Sequence, residues 1–147
     1  MYTFYYPGYN LRSTDLQAYI GLGQIDKLDD WGKKRHLNFL FYNTKIKNDY
    51  WKAKPQKYSF ISNFAYPVIH PNRDKIVKEL QDNDIEVRPM ICGSMGTQPF
   101  YVKKYGRLEL PNVSTIDKYG FYIPNHPHLT TNEIRFIIDI VNRGIEE

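Results

Sequence analysis

YSFISNFAYPVIHPNRDKIVKELQDNDIEVRPMI, residues 58–91, changes its hydrophobic period twice. Up to about Pro67 it is aromatic and β-branched, with Phe60, Ser62, Phe64 and Tyr66 falling on one side of an extended chain. Asn72 then stands where a helix over residues 73–83 needs a cap, and Ile76, Val77 and Leu80 recur at helical spacing. Asp82-Asn83-Asp84 reads as a turn. Beyond it Ile85 and Val87 point one way and Glu86 and Arg88 the other, as on a second strand. Strand, helix and strand in one segment predict a layered α/β arrangement with the helix lying on the sheet.

Toward the C-terminus, residues 92–112, CGSMGTQPFYVKKYGRLELPN, are rich in glycine and proline and are expected to be irregular, a length of loop that invites a functional reading. YGFYIP supplies a third short strand. Thr130-Thr131-Asn132-Glu133 is a capping box, and Ile134, Ile137, Ile138 and Val141 form the buried stripe of a closing helix expected to stop at Gly144. Burying each of those side chains is worth about 1.5–3 kcal/mol, so the helix should be docked.

Toward the N-terminus, Thr14-Asp15-Leu16-Gln17 is a second capping box. Leu16, Ile20, Leu22, Ile25 and Leu28 keep roughly helical spacing, although Gly21 and Gly23 each cost about 1 kcal/mol relative to alanine there and suggest close contact with another backbone. Asp29-Asp30 can kink or restart this long helix. Trp31, Leu37, Leu40, Phe41 and Tyr42 then give it an apolar side as far as about Ile46, before the charged surface connection of residues 47–57. The order predicts an α/β two-layer sandwich, a small, mainly antiparallel sheet covered by helices, formed by residues 1–147 as a single domain.

Composition narrows the function classes. The chain has 147 residues, 41% of them hydrophobic, with no apolar run of membrane-spanning length and no export signal in MYTFYYPGYN, so a cytoplasmic protein is expected. Cys92 is the single cysteine and cannot form an internal disulfide. The net charge of +4 and 16% aromatic content fit nucleic-acid binding only superficially, because Lys33-Lys34-Arg35, the lysines of residues 45–57 and Lys103, Lys104 and Arg107 form no single stripe. No nucleic-acid partner is expected. Asn112-Val113-Ser114 matches a glycosylation acceptor by chance in a cytosolic chain.

His36, His70, His126 and His128 match no zinc spacing and no cysteine pair accompanies them, so no metal site is expected. Cys92 lacks the neighbours of a nucleophile. Gly93 and Gly96 lack the lysine of a phosphate loop, which leaves a loop that folds over a ligand. Arg88 leads into that loop, where a guanidinium could pair with a carboxylate or a phosphate or with an ordinary surface anion. Asn10 has no evident task of its own; a turn that tolerates unusual backbone angles is one.

The segment GYNLRSTDLQAYIGLGQIDKLDDWGKKR, residues 8–35, resembles the opening of the C-terminal part of the DegT/DnrJ/EryC1/StrS family, the sugar aminotransferases that depend on pyridoxal 5'-phosphate. DKIVKELQDNDIEVRPM, TQPFY and GFYIPNHPHLTTNEIRFIIDIV are similar to later segments of that family in the same order. The resemblance implies the small domain of a fold-type-I enzyme, with the cofactor, its lysine and the aspartate on its pyridine nitrogen in a larger N-terminal domain that would lie before Met1. It implies a homodimer, or a separately encoded N-terminal half, acting on a nucleotide-linked keto sugar with an amino-acid donor in polysaccharide biosynthesis. It assigns no catalytic residue to this chain. Asn10 of the Gly-Tyr-Asn motif would bind the cofactor phosphate of the neighbouring subunit, and Tyr9, Arg12, Arg88 and Gln98 would face the substrate. RPMICGSMGTQPFY is similar to the branch of 4-keto-6-deoxyhexose 3-dehydratases, in which histidine replaces the cofactor lysine. A dehydratase fragment and a non-enzymatic dimerisation or interaction module are the alternatives.

Overall fold

A computed structural model describes residues 3–6, 8, 14–91 and 93–146. The fold is α/β, with three short antiparallel strands and helices against them. In chain order the elements are α1 (Asp15–Ile25), α2 (Leu28–Lys45), β1 (Ala65–Ile69), α3 (Arg73–Asp82), β2 (Arg88–Pro89), a 3-10 turn (Met95–Thr97), α4 (Pro99–Tyr105), α5 (Pro111–Tyr119), β3 (Gly120–Pro124) and α6 (Thr131–Glu146).

The sheet order is β1-β3-β2, with Tyr66 opposite Ile123, Val68 opposite Phe121 and Arg88 opposite Tyr122. Tyr66, Val68, Phe121 and Ile123 face inward and are buried with Phe39, Tyr42 and Ile46 of α2 and its end, Ile76 and Leu80 of α3, and Ile134, Ile137, Ile138, Ile140 and Val141 of α6. The α6 stripe is the expected one, and Ile85 and Val87 pack against the core. Burial raises the phenol of Tyr66 to about 12 and that of Tyr42 further. Their hydroxyls donate to Asn43 Oδ1 at 3.1 Å and to the Pro124 carbonyl at 3.0 Å.

Both capping boxes form. Thr14 Oγ1 accepts from Gln17 N at 3.3 Å while Gln17 Oε1 accepts from Thr14 N at 3.0 Å, and Glu133 Oε2 takes both the N–H and the hydroxyl of Thr130 at 2.7 Å. The long N-terminal helix is instead two helices. It breaks at Asp26-Lys27, and Asp29 and Asp30 stand in the first turn of α2, where negative charge favours a helix start. Leu37 and Leu40 are exposed; the buried face of α2 runs through Gly32, Phe39 and Tyr42. Gly21 and Gly23 have nothing within 4 Å of where a Cβ would stand, so the expected close backbone contact is not made among the described residues.

The first strand starts later than the alternation predicts, at Ala65, and runs through Pro67 to Ile69. Side chains take up the backbone before it: His36 Nδ1 accepts from Ile61 N at 3.1 Å, and Asn125 Nδ2 donates to the Asn63 carbonyl at 2.9 Å, while Arg35 Nε donates to Ser62 Oγ at 2.9 Å. β1 pairs only with β3, so it is an edge strand and tolerates Pro67. The second strand is confined to Arg88–Pro89.

Residues 92–112 are not irregular throughout. Pro99 and Pro111 stand at the first turns of α4 and α5, where proline's missing N–H costs nothing. Asn72 precedes α3 without capping it; its amide donates to the Gly144 carbonyl at 3.0 Å. Gly144 does not end α6, which continues to Glu146.

Candidate functional site

The inner face of the sheet is filled by the helices, and its outer face is open. Directly opposed residues of an antiparallel pair share a face, so Pro67, Tyr122 and Arg88 form a row across β1, β3 and β2 on the outside. Phe64, just before β1, is exposed and brings its ring to 5.7 Å from that of Tyr122. Two adjoining depressions follow this face, of about 270 Å³ beside Arg88 and about 280 Å³ beside Pro67 and Met90, and both are lined by Phe64, Ala65 and Tyr122. The result is a shallow, mainly apolar groove with aromatic walls and a cation at one end.

Arg88 lies on β2 as the alternation predicts, its guanidinium bound through Nε at 2.8 Å and Nη2 at 2.6 Å to Glu86 Oε1. The pair is exposed and therefore contributes little to stability. Gln98 is elsewhere. It is buried at the N-terminal end of α4, where its Oε1 accepts from Phe4 N at 2.9 Å, and the Phe100 N–H donates to the Phe4 carbonyl at 3.1 Å. The 93–97 segment is closed rather than open: Gly93 has φ +53 and faces Asp117, and Gly96 is packed on the Leu108 backbone, whose N–H donates to the Gly96 carbonyl at 3.1 Å. Tyr9, Asn10, Arg12 and Cys92 lie outside the described residues.

The structure therefore joins to Arg88 two residues that the sequence reading did not single out, Phe64 as a groove wall and Tyr122 as its floor. The alternation in GFYIP carried a signal for Tyr122, whose neighbours Phe121 and Ile123 point inward. Its pairing with Arg88 depended on the strand order. Among the described residues no cluster of histidine, cysteine, aspartate and glutamate could hold a metal ion, and no helix is long and apolar enough to cross a membrane. His36, His70 and His126 each accept a backbone N–H through Nδ1. The rings of His126 and His128, on either side of a turn at Pro127-His128, stand 6.2 Å apart.

Pyridoxal phosphate held by a lysine needs an uncharged amine inside a water-poor pocket. Every lysine of this chain is exposed to water. The groove beside Arg88 contains no lysine. Among the described residues no lysine stands in a water-poor pocket of that kind.

Residues 1–142 match the sequence model of the DegT/DnrJ/EryC1/StrS aminotransferase family. The chain is 29% identical over 147 residues to the lipopolysaccharide biosynthesis protein RfbH of Salmonella typhimurium, a match that covers 93% of this chain and 34% of that protein. Among solved structures it is similar to an E. coli GDP-4-keto-6-deoxy-D-mannose-3-dehydratase with bound hydrated PLP, with TM-score 0.71 and 25% identity over 92% of this chain and 37% of the other. It shares the fold of a DegT DnrJ EryC1 StrS aminotransferase from Brucella abortus, with TM-score 0.81 and 22% identity over 95% and 38% of the two chains. The chain thus spans between a third and two-fifths of the length of these relatives. With the family's pattern running through nearly all of its residues, the chain belongs to the DegT/DnrJ/EryC1/StrS aminotransferase family.

Proposed function

We propose that this chain is the C-terminal part of a pyridoxal-phosphate-dependent enzyme that modifies a nucleotide-linked keto sugar for polysaccharide or glycoconjugate biosynthesis in the cytoplasm. In this reading residues 1–147 are the small domain of a fold-type-I enzyme, a two-layer sandwich, and the cofactor's lysine comes from a larger N-terminal part. Amination with an amino-acid donor is the preferred reaction. The supporting observation is the division of groups: a groove with Arg88 at one end and the rings of Phe64 and Tyr122 along it, in a chain whose lysines are all exposed. Arg88 would pair with a substrate phosphate, and the rings would pack on a planar or apolar part of the substrate.

Asn10 would donate its amide to the cofactor phosphate of the neighbouring subunit in a homodimer, with Tyr9 and Arg12 on the substrate side. Gln98, which holds Phe4 here, would face the substrate only through the loop it anchors. When bound, pyridoxal phosphate supplies the electron sink and the protein supplies orientation. One relative supports the second reading, a 4-keto-6-deoxyhexose 3-dehydratase: the E. coli structure just described is a GDP-4-keto-6-deoxy-D-mannose-3-dehydratase with a similar fold.

The test is a product analysis. Residues 1–147 alone, given pyridoxal phosphate, a nucleotide-linked keto sugar and glutamate, should transfer no amino group. The assembly with the remainder of the family's length should. Nitrogen in the sugar product supports amination, loss of the 3-hydroxyl supports dehydration, and amination by residues 1–147 alone would overturn the proposal.

A further inference from the structure

α1 has no buried residue, yet it is one of the most apolar segments of the chain. Leu16 is 68% exposed, Tyr19 77%, Leu22 69% and Ile25 63%. At 3.6 residues per turn Leu16, Tyr19, Ile20 and Gly23 share one side, and Ala18, Leu22 and Ile25 the opposite side. Gln17 and Gln24 form one polar line between these stripes, and Asp15 and Asp26 form the other. A surface helix has one apolar stripe; a helix apolar on both sides is enclosed. An isolated helix of this length is also marginal in water.

We propose that α1 is a bifacial interface helix, seated in an apolar groove of the part of the family's polypeptide that this chain does not span. The proposal rests on the reading that such a part completes the enzyme. A second copy laid helix against helix would cover one stripe and leave the other wet. The occupant must embrace both sides, and the relatives, of whose length this chain covers 34–38%, contain a body large enough to do so. Gly21 and Gly23, with nothing within 4 Å of either missing Cβ, allow that groove to approach the helix backbone.

The experiment uses residues 1–147 alone and assembled with the polypeptide that completes the family's length, fused or co-expressed as its coding dictates. Hydrogen exchange at residues 15–25 should slow by at least about 100-fold on assembly. Leu16→Lys with Ile20→Lys, and separately Leu22→Lys with Ile25→Lys, should each weaken assembly by at least about 10-fold. Neither pair touches the core, so the unfolding midpoint of residues 1–147 alone should not move. An effect from one pair only, from neither, or a dimer of residues 1–147 alone that protects α1 equally would overturn the proposal. Absorbance of bound pyridoxal phosphate reports separately: a protected α1 without cofactor uptake counts against the functional reading and leaves the interface standing.

Discussion

Gly144 of α6 lies against Ile76 of α3 so closely that a Cβ at position 144 would stand 2.6 Å from Ile76 Cγ1. Ile76 is fully buried, and Asn72 Nδ2 joins the same crossing by donating to the Gly144 carbonyl. Gly144→Ala gains about 1 kcal/mol of helix propensity but must displace a packed side chain at about 1–3 kcal/mol. The variant is expected to be less stable by up to about 2 kcal/mol, with a lower urea midpoint and an unchanged slope. Gly144→Val should cost more. A midpoint at or above that of the parent would show that the two helices yield easily.

That contact shows where sequence reading stops. The final helix was legible because Thr130 and Glu133 mark its start and the isoleucines keep their spacing, both local signals. A glycine near its end reads as a stop, and its actual cause, Ile76, is distant in sequence. Pro99 and Pro111 likewise read as breakers, although each stands in a helix's first turn. In the groove, Arg88 was legible from alternation on its own strand. Phe64 and Tyr122 were not, because β3 had to enter between β1 and β2 to bring them there. Around Gly21 and Gly23 the described residues leave open space, so the close contact that these glycines suggest is not made among them.

His70 gives the fold a pH dependence. Burial holds its imidazole below the ordinary value of about 6.5, and Nδ1 must be unprotonated to accept the Asn72 N–H at 3.1 Å. The unfolded chain therefore binds this proton more readily, so stability rises with pH between the folded and unfolded values. The contribution is complete above about 6.5 and is lost as pH falls toward the folded value. Glu133 is held below its ordinary value by the N–H and hydroxyl of Thr130, so its loss belongs to a more acidic window. Thermal midpoints should fall from pH 7.5 to pH 5.5, and His70→Gln should flatten that fall. An equally steep fall in the variant would assign the effect to another group.

Gln98 ties the N-terminal segment to α4 through Phe4. Gln98→Ala removes the acceptor of the Phe4 N–H, a hydrogen bond worth about 1 kcal/mol, and should release residues 3–6 without unfolding the core. Hydrogen exchange at Phe4 should accelerate about 5-fold or more, while exchange in α6 stays as it was. Unchanged exchange at Phe4 would mean that the Phe100–Phe4 bond suffices.

Arg88 and Glu86 make opposite predictions for one groove. If the guanidinium binds a substrate phosphate, it must leave Glu86 Oε1, and the carboxylate competes with the substrate. A hydrogen bond to a charged group is worth about 1.5–3 kcal/mol, so Arg88→Gln in the assembled enzyme should raise KM for the nucleotide sugar roughly 10- to 100-fold with little change in kcat. Glu86→Gln should lower KM, because the neutral amide holds the guanidinium less tightly. Added salt should weaken substrate binding in the parent and much less in Arg88→Gln, since only the parent loses a charge pair to screening. Tyr122→Ala should raise KM without altering the salt response, because it removes packing surface and no charge. If Glu86→Gln raises KM as Arg88→Gln does, the pair acts as a structural unit and the phosphate is bound elsewhere.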